Sequence, residues 1–120
     1  LRIAVDAYFA LAKLRPCTET WNDLGLGLLR RAQLKNADKA LAKRAVVCFK
    51  RALSMCSHKS TQCSLWISIA QATLLIGSKL TALHCIKVAL LINANNSVAW
   101  SLLAILLLIC KKVFSFASIR

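Results

Sequence analysis

The residues of this chain that could do chemistry are few, and their spacing serves chemistry poorly. Six cysteines (Cys17, Cys48, Cys56, Cys63, Cys85, Cys110) and two histidines (His58, His84) are the whole stock of soft ligands and imidazoles. Cys56, His58 and Cys63 come nearest to a metal-binding arrangement. A structural zinc site asks for four ligands at tight spacing, however, and the sequence has no Cys-x-x-Cys pair. His84 beside Cys85 could suggest a thiolate nucleophile, but adjacent residues on a helix point in different directions. Gly25 and Gly27 form a G-x-G, the start of a phosphate-cradling loop, yet Arg30 stands where the third glycine is needed and no strand precedes it. No serine sits in a nucleophile elbow. All four acids, Asp6, Glu19, Asp23 and Asp38, precede Lys39, so neither histidine has a nearby carboxylate in sequence to orient it. The expectation is a chain without catalytic residues, cofactor or metal.

The charge is lopsided. The net charge is +13, and residues 39–120 hold eleven Lys or Arg and no carboxylate. Such a field attracts nucleic acid, anionic lipid or an acidic protein; cations spread along helices also fit plain solvated faces. Hydrophobic residues make up 58% of the chain, which suits either a membrane protein or a stretch of helical solenoid whose ends are covered by neighbours. The longest nearly uninterrupted apolar run, 98–110, is short of the roughly 20 residues that span a bilayer, so no membrane segment is expected. Asp6 and Lys13 break the N-terminal apolar stretch before any signal-like cleavage site. Four of the cysteines lie in apolar helical stretches, where a free thiol behaves as a small hydrophobe, and that usage fits a reducing compartment. The expected location is the cytoplasm, with the nucleus as a second.

The elements that must position these residues all read as helices. Ala4, Tyr8 and Leu11 share a face of a helix over 1–15 that Pro16 ends. Thr18 is a candidate cap for a helix running through Trp21, Leu24, Gly25 and Leu28 to about Gln33. Asp38 caps the next, which ends near Met55 and carries Leu41, Ala45, Cys48, Phe49 and Ala52 on one face. A fourth helix, from about Thr61 to Ile76, stops at Gly77, and Ser78 caps a fifth over 79–92. Asn93, Asn95 and Asn96 make a turn before Ser97 starts a sixth helix. Beyond Cys110 the pattern dissolves, which predicts an irregular tail over 111–120.

These helices keep a period. Trp66 and Trp100 are 34 residues apart, and Ala82, Ile86 and Ala89 follow Trp66 at offsets 16, 20 and 23. Trp21 is followed by Leu24 and Gly25, then by Ala45, Phe49 and Ala52 with the same internal gaps. The W-x-x-L-G and A-x-x-x-F-x-x-A signatures at this period read as a tetratricopeptide-type repeat, an all-α solenoid of antiparallel helix pairs. On this reading 1–16 is the second helix of a partial repeat, 17–57 and 58–96 are repeats, and 97–120 is the first helix of another plus a divergent tail. The lack of an initiator Met and the end partway through a repeat predict a piece of a longer array. The repeat at 17–57 is oversized: Trp21 to Ala45 spans 24 residues, against 16 from Trp66 to Ala82. The small residues should let paired helices approach, while Trp21, Phe49, Trp66, Ile86 and Trp100 should fill the space between pairs. Tetratricopeptide domains that grip an acidic C-terminus do so with Lys and Asn on their first helices. Here the matching positions are Asn22, Ile67, Ser101, Leu26, Gln71 and Ile105, and no such set is present.

The strings T-W-N-D-L-G and L-A-K-R-A-V-V-C-F-K-R-A-L, then L-W-I-S-I-A, A-L-H-C-I-K-V-A-L and N-N-S-V-A-W, are more particular. Their succession over about 18–108 resembles the superkiller complex subunit 3 family, the long tetratricopeptide scaffold of the Ski complex. Ala70, Ala104, Leu28, Ser57 and Ala94 depart from the usual repeat residues. The resemblance implies a non-enzymatic scaffold that holds an RNA helicase and β-propeller subunits and serves 3′-to-5′ cytoplasmic mRNA decay by the exosome. The competing expectation is a basic helical module that contacts RNA directly.

Overall fold

Local chemistry at the helix ends sets the architecture. A computed structural model describes residues 6–7, 9–11, 14 and 17–118, the stretch 110–118 in backbone only. Among the described residues from 17 onward, five helices follow one another: α1 (Thr18–Leu34), α2 (Lys39–Met55), α3 (Lys59–Ile76), α4 (Lys79–Ile92) and α5 (Ser97–Ser118). The helix expected over 1–15 falls largely outside the described residues, Ala4, Tyr8 and Pro16 among those not described; residues 6–7, 9–11 and 14 are helical.

Asp38 does what its position forecasts. Its Oδ1 accepts from the Ala40 and Leu41 amides at 3.0 and 3.3 Å, satisfying two of the donors that a helix start leaves free. Asp38→Ala should cost about 1 kcal/mol in urea unfolding; an unchanged midpoint would mean the cap is idle. Gly77 adopts φ +98°, and its amide and that of Ser78 return to the Thr73 carbonyl at 3.1 and 3.0 Å, closing α3 as a left-handed terminus. Asn96 Oδ1 takes the Ala99 amide at 3.1 Å, so the asparagine turn starts α5.

Two expected caps are corrected. The α1 cap position is Cys17, because the Trp21 amide already bonds the Cys17 carbonyl at 3.2 Å and Thr18 lies inside the helix. Ser78 stands at the head of α4, but its side chain makes no capping bond there. The tail is also corrected: α5 continues in helical backbone to Ser118 instead of breaking at 111. Residues 111–118 contain no Gly, Pro or Asn to stop it.

The eight additional residues between Trp21 and Ala45 are shared out. Compared with the α3–α4 pair, three lengthen α1 beyond its tryptophan, two lengthen the turn and three precede Ala45 in α2. Further along, α3 begins one turn earlier relative to its tryptophan than α1 or α5 does. The polar stretch before Trp66 is therefore helix from Lys59 onward rather than loop.

Packing follows chain order. Short turns fold α1 on α2 and α3 on α4 as helical hairpins, α2 packs on α3, α4 on α5, and α1 touches α3. All described secondary structure is helical, and among the described residues no helix is long and apolar enough to cross a membrane. Buried residues from every helix form one continuous core.

Candidate functional site

Most of the residues that the sequence singles out build the core rather than a site. Leu24, Ala45, Phe49, Ala52, Ala82, Ile86 and Ala89 are fully buried, and Trp21 nearly so. α1 and α2 approach closely at Gly25 and Phe49: a Cβ on Gly25 would stand 2.6 Å from Phe49 Cε1, so the helices meet where the glycine leaves room for the ring. At the same offsets in the next hairpin stand Ala70 and Ile86, both fully buried, with a methyl added on one side and a smaller side chain on the other. The Arg51 guanidinium lies over the Trp21 ring, 4.8 Å from its centroid, while the indole Nε1 is buried without an acceptor.

The tryptophans part ways along the chain. Trp66 is half-buried against the core, but Trp100 is 51% exposed and donates its Nε1 proton to the Ala94 carbonyl. Trp100, expected to fill a joint between helix pairs, meets no such pair among the described residues. Beyond it α5 runs on to Ser118, with no turn among the described residues to bring a partner helix back over the indole. Val98, Ile105, Leu107 and Leu108 are exposed on the same helix.

The proposed chemical groups do not assemble. Cys63 is buried, its Sγ directed to the Ala89 carbonyl and the Asn96 amide, whereas Cys56 Sγ donates to the His58 carbonyl. Among the described residues no three potential metal ligands come together. His84 is exposed and Cys85 buried, so the two present different faces of α4. Burial pushes the Cys48 thiol above its ordinary value, with Arg44 and Arg51 pulling the other way. Burial raises Cys85 likewise, against Lys50. Both thiols thus favour the neutral, unreactive form. In native protein at neutral pH, iodoacetamide should modify Cys17 and Cys56 well before Cys48, Cys63 and Cys85, read by peptide mass spectrometry. Early modification of Cys48 would contradict the burial.

What remains is surface. An open cleft of about 490 Å³ lies between α1 and α3, lined by Leu26, Leu29, Arg30, Gln33, Leu34 and Gln71. Its floor is apolar, its one charge is a guanidinium, and its two carboxamides can each donate and accept. No nucleophile, acid or imidazole lines it. Leu26 and Gln71 stood among the positions tested for a carboxylate grip; Arg30 and Gln33 did not. Their signal was available: Leu26, Leu29, Arg30 and Gln33 recur at helical spacing on one side of α1.

The described residues form an all-helical array of sequentially packed hairpins with an open cleft between α1 and α3. No protein-family model matches the sequence, and no curated protein does.

Proposed function

We propose that this chain is a non-catalytic protein-interaction scaffold built as a tetratricopeptide-type solenoid. The observation that carries the reading is the contact of Gly25 with Phe49, set at the offsets from Trp21 and Ala45 at which the repeat signature places a small residue opposite a large one. Two uncommitted surfaces add support: the cleft between α1 and α3, and the exposed apolar side of α5. Apolar helix faces and shallow interhelical clefts are how helical repeats engage partners.

The narrower form of the proposal rests on the sequence resemblance. In it the chain acts like the scaffold subunit of the Ski complex in the cytoplasm, holding an RNA helicase and β-propeller subunits for exosome-linked mRNA decay. The test is reconstitution: the chain is mixed with a purified helicase and a β-propeller subunit of that complex and run on a size-exclusion column. Co-elution with either is expected. Separate elution of all three removes the Ski-type role.

A further inference from the structure

We propose that the outward face of α2 is a binding surface for the phosphate backbone of RNA. This inference is independent of the scaffold reading, and either can fail alone. On α2, Lys43, Arg44, Val47, Lys50 and Arg51 are all exposed, and their spacing of three, four and seven residues puts them on one side of the helix. The two cation pairs are separated by two turns, about 10 Å along the axis, so each can meet a different phosphate.

The field is unopposed on the downstream side of this face, while Glu19 and Asp23 of α1 and Asp38 at the start of α2 lie on the other. From α2 to the end of α5 the sequence contains no carboxylate, and Lys87 of α4 is exposed as well. Lys50 lies close enough to the Cys85 thiol of α4 to favour its charged form, so the positive potential reaches across to the neighbouring hairpin. Arg51 is held in place over the Trp21 ring, which lowers the entropy lost when it meets an anion.

The make-up of the face selects the partner. Protein interfaces draw their energy from buried aromatic and apolar anchors, and here Val47 is the one apolar residue in the row. A polyanion needs no such anchor, because release of condensed counterions by Lys and Arg supplies the affinity. No exposed aromatic lies in the row to stack on bases, so recognition is of phosphates and indifferent to sequence.

The test is fluorescence anisotropy with the full chain and three labelled probes: oligouridine of about 20 nucleotides, an RNA duplex of similar length, and polyglutamate of matched charge, over about 50–200 mM salt. Lys43→Gln/Lys50→Gln should weaken RNA binding roughly tenfold at about 100 mM salt and reduce the salt slope for the single strand by about 1.4. Both positions are exposed, and circular dichroism checks that the fold is kept. Lys59→Gln/Lys79→Gln removes the same charge at the starts of α3 and α4 and should leave affinity within about twofold, since neither residue lies in the row. Binding to either RNA form with this pattern upholds the surface, and the tighter form tells strand from duplex. The proposal is overturned by no binding to either RNA, by equal losses in the two variants, or by polyglutamate binding as tightly as RNA.

Discussion

Phe49→Ala should be the most damaging truncation in the chain, lowering stability by about 3–5 kcal/mol in urea unfolding followed by circular dichroism. The ring is fully buried in α2 and meets the backbone of α1 at Gly25, so its removal opens a cavity that neither helix can close without shifting. Trp100→Ala is the matched comparison, because tryptophan is the larger side chain. With half its surface already in solvent and one hydrogen bond to Ala94, its loss should cost about 1 kcal/mol. The order of the two effects is the point. If the tryptophan proved the more costly, α5 would have to be covered in solution by something that packs on the indole.

Gly25→Ala is the second large effect. The added methyl would come within 3.0 Å of three Phe49 ring atoms, and the ring is enclosed on all sides. Such overpacking should destabilise by about 1–3 kcal/mol. The second hairpin suggests the remedy. Alanine and isoleucine occupy the corresponding positions there, so Phe49→Ile should be less harmful in the Gly25→Ala background than alone, with a coupling of about 1 kcal/mol. Additive losses would show that the methyl is relieved by helix movement rather than by the ring.

Much of the helical order could be read from the sequence because its determinants are local. Asp38, Gly77 and the asparagines at 93–96 act within one turn of where they stand, and each behaves as its type dictates. Ser78 has the right type and position but makes no capping bond. The division of the eight additional residues was hidden, because a longer interval can be absorbed by helix or turn at similar local propensity. Trp100 is a different case. Helical periodicity reports which side of a helix is apolar, not whether a neighbour exists to cover it. The cleft is not legible in the sequence, because its lining comes from two helices 45 residues apart in phase. Arg30 was weighed only as a misfit in a glycine motif, yet it is the cleft's single cation.

The unequal settings of the three indoles give the molecule a built-in optical gauge. Trp21 lies under a guanidinium, Trp66 is half-shielded and Trp100 stands in solvent, so iodide in solution will extinguish the last of them first. Anything that settles on α5 will protect that emission and move it to the blue, whereas a ligand held along α2 will leave it unchanged. The part of the emission that iodide reaches thus reports whether α5 is occupied, with no label attached.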